Sequence, residues 1–405
     1  MFNKSLILIS FLLCSSYSII NAQTIDDVVT RTIEKNYTLK ALENSIDIAR
    51  EQISLASKWK NPTLSFGITD VQFDDITKRD LEPMQSSFVG FSQTIPIGNK
   101  LEIEKKIASD DYEISKLLLE DKKLQLQSKI YEYIYKIKLL EERLSLFKEF
   151  KQNTKNLESL LNKLYEYNKV SQIQILDSQI LYQELNLKSQ RLETIINTLN
   201  LKLEQITYSK IENINFSSKL KDIKLSTNIQ SHPKILELIQ NSNKFKNISN
   251  LEKEKKNSDI KMSLTYFNRD DKYEDYVNLA FAIPLSVYGS EDVKSRKAKF
   301  KSMEIDNKIK DTKLVFKNQI KIFQQNLNDS QITFNIINKN IIPKQKELQK
   351  ILENYNSFNS LKKIDSSNLI KNLNEIIKYK LKAIDEKEKY FDALAKSSYF
   401  TKENL

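Results

Sequence analysis

From Asn99 to about Tyr165 the chain contains neither glycine nor proline. Ile103, Ile107, Ile114, Leu117, Leu124, Ile130, Ile134, Ile137, Leu144, Phe147 and Phe150 recur through it near helical spacing. At 1.5 Å per residue such a helix runs roughly 100 Å. No compact domain accommodates that length. The same scarcity of breakers holds throughout, with 4 Gly and 6 Pro in 405 residues. Gly67, Gly90, Gly98 and Gly289 all lie in or beside short alternating runs, and the remainder reads as helix. That is far above the usual third and argues against an ordinary globular domain.

The alternating runs form two related pairs. Phe88–Lys100 ends in Ile-Pro-Ile and Tyr276–Gly289 in Ile-Pro-Leu, each followed by a very long helical pattern. Proline cannot donate to a strand ladder, and its fixed φ suits a first helical turn. Pro96 and Pro284 therefore mark strand-to-helix turns. The spacing predicts strands at about 63–73, 86–95, 260–267 and 275–284, each apolar on one face and small or polar on the other. Leu64, Phe66, Val89, Phe91, Met262, Leu264, Leu279 and Phe281 share the apolar faces, which is a transmembrane β-barrel pattern with these residues toward lipid. Trp59, Phe73, Tyr266, Tyr276 and Tyr288 are candidates for interfacial aromatic girdles. No stretch after residue 22 reaches the roughly 18 apolar residues of a spanning helix. Four strands cannot close a barrel, and open edges are not tolerated in lipid, so other copies of the chain must complete it.

Around these strands the order repeats. Thr24–Lys58 reads as one helix, stopped by Trp59-Lys60-Asn61-Pro62. After the long helix, a turn at Tyr167-Asn168-Lys169 leads into a return helix from Ser171 to about Ile206. Residues 207–230 are aperiodic. Ser231-His232-Pro233 opens a helix to about Asn257, and a long helix follows the second pair of strands from about Glu291 to Tyr355, with a kink expected at Pro343. A polar turn near Asn356–Ser367 leads to a last helix ending near Ser397. Helix, β-hairpin, long helix and return helix thus occur twice at an offset of about 190 residues. The boundaries are 1–22, a signal peptide; 23–208, the first repeat; 209–230, a linker; 231–400, the second repeat; and 401–405, a tail.

The first 22 residues carry Lys4, the apolar run Leu6–Leu13 and a small-residue site at Ile20-Asn21-Ala22. They read as an export signal, with the mature chain starting at Gln23. Cys14, the only cysteine, leaves with it, and Leu13 is too large to precede a lipidated cysteine. The net charge of +11 falls to +10 without Lys4, and the lysines are interspersed with Glu and Asp along helix faces. Such interspersion marks solvated faces rather than a nucleic-acid surface.

No catalytic, cofactor-binding or metal-binding constellation emerges. His232, the only histidine, reads as part of a helix start, because one imidazole does not build a metal site. Met84, Met262 and Met303 are scattered in the sequence. Asp110-Asp111 and Glu141-Glu142 read as charges on a solvated helix face rather than as acid–base pairs.

Trp-Lys-Asn-Pro-Thr-Leu (59–64), GFSQTIPIGNK (90–100), LYEYNKVSQIQILDSQ (164–179), SHP (231–233), NLAFAIPL (278–285) and IIPKQKELQKILENY (341–355) together resemble the outer-membrane efflux protein family. Its members are the TolC-like outer-membrane factors of tripartite pumps. The resemblance covers the whole expected mature chain. It implies a mostly α fold with a small membrane β portion, a homotrimeric 12-stranded β-barrel continued by a long periplasmic α-helical barrel, and an equatorial linker at 209–230. It also implies docking of the helical tip Asn168, Lys169, Val170 and Ser171 on a periplasmic adaptor protein, an inner-membrane efflux pump, and passive conduction of drugs or metal cations, with no cofactor. The IPIGNK pattern leans toward the heavy-metal efflux branch. Asn168 replaces the family's tip glycine, and Gly98-Asn99-Lys100 its Gly-Gly-Lys. Constriction candidates are Gln174, Asp177, Asn368 and Lys371, where Asn368 and Lys371, or Lys371 and Asn374, stand in place of family carboxylates. A type I protein-secretion channel shares this fold, and a periplasmic coiled-coil scaffold is the reading from another class.

Overall fold

The computed structural model describes residues 23–211, 213–358 and 366–402. The expected signal peptide with Cys14, most of the second tip turn and residues 403–405 of the tail lie outside them. The first half consists of α1 (Ile25–Lys35), α2 (Tyr37–Ala56), β1 (Thr63–Thr69), β2 (Ser86–Ile95), α3 (Lys100–Glu166) and α4 (Gln172–Thr207). The second consists of α5 (Pro233–Glu254), β3 (Ile260–Asn268), β4 (Tyr276–Ala282), α6 (Ser290–Ile336), a π-helical segment (Ile337–Ile341), α7 (Ile342–Phe358) and α8 (Ser366–Thr401). The long breaker-free run is a single 67-residue helix.

Two expectations need correction here. The helix read across Thr24–Lys58 is two helices, because Asn36 ends one and begins the next. Its backbone N–H reaches Thr32 O at 2.9 Å, its φ/ψ of −69/116° leaves the helical region, and its Oδ1 accepts from Leu39 N at 3.1 Å. An Asn side chain offers the backbone this competing bond, and hydrophobic spacing does not register it. At Pro343 the break falls earlier than expected, as a π-turn over Ile337–Ile341 in which Ile342 N–H bonds to Ile337 O. Proline lacks the N–H that would have bonded to Lys339 O, and widening the preceding turn accommodates the loss.

The sheet is antiparallel throughout, in the order β1-β2-β3-β4, so the two hairpins lie side by side. Beneath it α3 packs on α2 and on α5, and α5 packs on α6. Small side chains at seven-residue intervals bring α5 and α6 close. Ser242 Oγ lies 3.0 Å from Ser302 Oγ, and Ser249 Oγ lies 2.9 Å from Ser295 Oγ. Farther from the sheet α3 pairs with α4 and α7 with α8.

The largest core sits at the waist, midway along α3. Ile130, Tyr131, Ile134 and Leu139 of α3 are buried there with Val28 of α1, Leu203 of α4, Ile320 of α6 and Tyr390 of α8. The aperiodic segment between α4 and α5 closes over this core. Phe216 packs on Tyr135 and Phe391, Leu225 and Ile229 are buried, and Tyr390 Oη donates to Lys221 O at 2.7 Å. Gln324 of α6 secures both backbone directions, accepting from Leu225 N at 2.8 Å and donating to Ile223 O at 3.0 Å. Side chain–backbone bonds of this kind replace a regular ladder, which is why the segment shows no periodicity.

Candidate functional site

The four strands carry one apolar face. Leu64 pairs with Phe91 and Phe66 with Val89; Phe91 pairs with Leu264, and Leu264 with Leu279; Met262 lies between Gln93 and Phe281. All eight residues expected to face lipid therefore stand on the same side of the sheet. Except for half-buried Met262, they are exposed in the single chain, Phe66 at 79%. The other face carries Ser65, Gly67, Gly90, Ser92, Ser263, Thr265 and Ala280. Gly67 leaves room for the Phe88 ring, whose tip would lie 2.9 Å from a β-carbon there. Within the sheet, β1 and β4 are edge strands. The strands themselves are shorter than expected at 63–73 and 275–284, and 86–95 agrees at both ends.

At the end away from the helices, charged side chains tie one hairpin to the other. Arg79 Nη1 donates to Ser87 Oγ at 2.9 Å and to Asn268 Oδ1 at 3.3 Å, and Lys272 lies 3.5 Å from Asp80. The Arg269 guanidinium stacks over Tyr273 and Tyr276 while donating to Pro83 O.

The opposite rim, where strands become helices, holds a clasp that sequence reading does not single out. Pro96 ends β2, and Gly98, at φ 76°, turns the chain into α3. A β-carbon there would lie 2.2 Å from Glu254 Oε1, so the turn closes directly on the end of α5. The Lys100 ammonium, with its side chain only 9% exposed, donates to Asp259 and to Asn257 O. Ile97 N–H also reaches Asp259 Oδ1 at 3.2 Å. Burial of Asp259 favours its neutral form, but the bonds from Lys100 and Ile97 prevail and bring its carboxyl below the usual range. The partners are 159 residues apart, and no local pattern announces such a pair. Asp259→Ala is expected to lower the unfolding free energy in detergent by about 2 kcal/mol. Breaking a buried pair costs roughly 3–5 kcal/mol, reduced here because water reaches part of the carboxylate. Denaturant midpoints equal to the parent's would refute the clasp.

The expectation for Asp110-Asp111 fails in one respect. Asp110 is buried between α3 and α5, accepting from Gln240 Nε2 at 2.6 Å and Asn247 Nδ2 at 2.7 Å, while Asp111 lies 2.6 Å from Lys244. Burial pushes the Asp110 carboxyl up against the pull of the two amides. It joins the two halves rather than facing solvent, and only the α3–α5 contact, invisible in the sequence, reveals this. Glu142 likewise pairs with Lys387 of α8 at 2.5 Å.

At the far tip Asn168 adopts φ 57°, as its place in the turn between α3 and α4 predicts. Ser171 and Gln174 form a capping box that starts α4, with Ser171 N–H bonded to Gln174 Oε1 at 3.0 Å. Val170 is buried with Leu161 and Ile175, and Ile370 of α8 packs against them. Of the four expected docking residues, Asn168 is exposed, Lys169 and Ser171 are half-buried, and Val170 is buried. Asp177, Asn368 and Lys371 are exposed. Among the described residues no helix is long and apolar enough to cross a membrane, and no His/Cys/Asp/Glu cluster suits a metal.

No family model matches the chain, and no curated protein matches it. Solved structures do. CusC, described as forming a transmembrane channel, matches at a TM-score of 0.76 and 10% identity, over 93% of this chain and 92% of that one. The Campylobacter jejuni CmeC outer membrane channel matches at 0.74 and 11%, over 93% and 85%. The open state of the Neisseria gonorrhoeae MtrE outer membrane channel matches at 0.68 and 13%, over 93% and 88%. At such identities the likeness is one of fold, and the chain has the fold of these channels over nearly its whole length. The mostly α fold with a small antiparallel sheet, expected from the sequence, is borne out.

Proposed function

We propose that the chain is the outer-membrane channel of a tripartite efflux system. In this reading residues 1–22 direct export, three copies contribute β1–β4 to one 12-stranded barrel, and the helices of both repeats extend it into the periplasm. Solutes delivered by an inner-membrane pump through a periplasmic adaptor then leave passively. The observation that carries the reading is the sheet: one continuous apolar face, two edge strands, and helices too long for any compact domain leading away from it. Edges in lipid must be paired, and pairing β4 with a neighbour's β1 does so. The fold shared with solved outer-membrane channels supports the same assignment. A periplasmic coiled-coil scaffold has no use for the apolar sheet face. Fractionation tests the reading: the protein is expected in the outer membrane, extracted by detergent alone, and as a trimer. Release by salt or osmotic shock would overturn it.

The tip supplies the adaptor contact through Asn168, Lys169 and Ser171, while Val170 holds the turn together from inside. Around a threefold axis each residue near the tip recurs three times, so like charges repel and amides bond to one another. Gln174 is committed to its capping box, and the exposed side chains of Asp177, Asn368 and Lys371 are the candidates to line a constriction. Asp177→Lys is expected to raise the closed-state conductance in planar bilayers. Lys371→Gln leaves the channel closed but shifts the reversal potential toward cations, because it removes a ring of three positive charges. Parental conductance and selectivity in both variants would place the gate elsewhere.

A further inference from the structure

Closure of the barrel sets β4 of one subunit beside β1 of the next, and the internal repeat specifies the register. Leu264 pairs with Phe91 on one side and Leu279 on the other, which makes Phe91 and Leu279 equivalent. Phe91 in turn pairs with Leu64 and Leu264, which makes those two equivalent. Carrying the Phe91–Leu264 pair across the subunit boundary places Leu279 opposite Leu64 of the next copy. Apolar side chains then stay on one face, as a one-residue slip would not allow. Followed toward the helices, this register brings Phe281 to Pro62 and Pro284 to Trp59 of the next subunit.

Within one subunit the corresponding corner is the polar clasp of Lys100 and Asp259. Between subunits the chemistry differs. Asp259 has Trp59 as its counterpart, and the turn is longer, since α6 begins six residues after Pro284 whereas α3 begins four after Pro96. The longer turn carries Leu285, Val287 and Tyr288, exposed at 76%, 68% and 96% in the single chain, and Trp59 is 54% exposed. Both sides have a defined frame. Gln93 Nε2 donates to Lys60 O at 3.0 Å beside Trp59, and Gly289, at φ 68° with open space about it, returns the other turn into α6.

We propose that Tyr288 of each subunit packs against Trp59 of the next, with Leu285 and Val287 alongside, as an aromatic latch at the helix-side rim of the barrel. The latch replaces between chains the ion pair that closes the same corner within a chain, and it rests on the trimeric reading above. Chains that meet after folding gain from large apolar rings whose polar tips still reach water, which suits a membrane boundary. A lysine–carboxylate pair at that boundary would instead have to be desolvated on assembly.

Two cysteine pairs test the latch in membranes. Leu64→Cys with Leu279→Cys, oxidised, reads the strand register; Trp59→Cys with Tyr288→Cys, treated with a short bis-maleimide, reads the latch. Both double variants are expected to give covalent dimers and trimers on denaturing gels, and the four single variants none. A strand pair that cross-links while the rim pair does not overturns the latch and leaves the trimer standing. Failure of both overturns the trimeric reading as well, and cross-linking at the rim alone overturns the register on which the latch depends. Trp59 is also the only tryptophan in the chain, so its emission reports on the contact. Tyr288→Ala is expected to shift emission of the assembled protein to the red, whereas Tyr276→Ala leaves it in place. Unshifted emission in Tyr288→Ala overturns the latch.

Discussion

Phe91→Arg is expected to keep the protein out of the outer membrane, whereas Ser92→Arg, one position along the same strand, is tolerated. Phe91 lies between Leu64 and Leu264 at the middle of the apolar face, while Ser92 pairs with Thr63 and Ser263 on the other face. An arginine on the lipid side near the midplane costs roughly 2–4 kcal/mol, and the proposed trimer would carry three, so its barrel would lose about 6–12 kcal/mol. That is comparable to the whole stability of a typical fold. On the lumen face the same charge stays hydrated. Heat-resistant trimer in outer-membrane fractions measures the difference. Equal yields from the two variants would mean that the faces are assigned wrongly.

The second large effect lies at the waist. His232→Ala is expected to cost about 3–5 kcal/mol, a loss typical of deleting a buried aromatic group together with a helix cap. His232 is fully buried, with its ring 4.9 Å from those of Phe316 and Tyr399. Its Nδ1 accepts from Lys234 N at 3.1 Å, so the proton resides on Nε2 and is donated to Tyr399 O at 2.8 Å. The imidazole thus starts α5 and fastens it to α8. His232→Asn, which keeps the cap but not the second bond, should recover about 1 kcal/mol. Burial lowers the imidazole pKa, while Tyr399 O and Asp121 pull the other way and Lys402 assists. With the folded value below the unfolded one of about 6.5, the unfolded chain binds the proton more readily. The contribution of His232 is therefore complete above that pH and declines as pH falls through it. A parent protein whose unfolding midpoint shows the same acid dependence as His232→Ala would contradict this account.

The elements were legible because each announces itself locally. Alternation found the four strands, the absence of breakers found α3, and Asn168 and Ser231-His232-Pro233 marked a turn and a cap. The expected strand faces agree with the ladder residue for residue, because side-chain direction in a strand follows from parity alone. The features that local pattern does not carry depend on contacts distant in sequence. Lys100 with Asp259, Asp110 with Gln240 and Asn247, and Arg79 with Asn268 each join the first repeat to the second, and a charged residue reads as solvated until its partner is known. The closing of the linker over the waist was hidden for a related reason. Its bonds to Gln324 and Tyr390 follow no period. Position in a turn does not say which side chain turns inward, so Val170, expected on the tip surface, is found buried instead.

The π-turn at Ile337–Ile341 gives the second repeat a property that α3 lacks. One residue advances a helix by about a quarter of a turn, so a single extra residue rotates everything beyond it relative to everything before. Above this point α6 presents Ser295, Ser302 and Ile305 inward, while Ile337 at the start of the turn and Ile342 just past its end cluster with Ala383 of α8. The insertion acts as a phase correction between two packing problems that one straight helix would have to solve in a single phase. Deletion and substitution should therefore part ways here. Exchanging a side chain within the turn alters a contact, but removing one residue rotates the whole of α7 and brings its polar side toward α8.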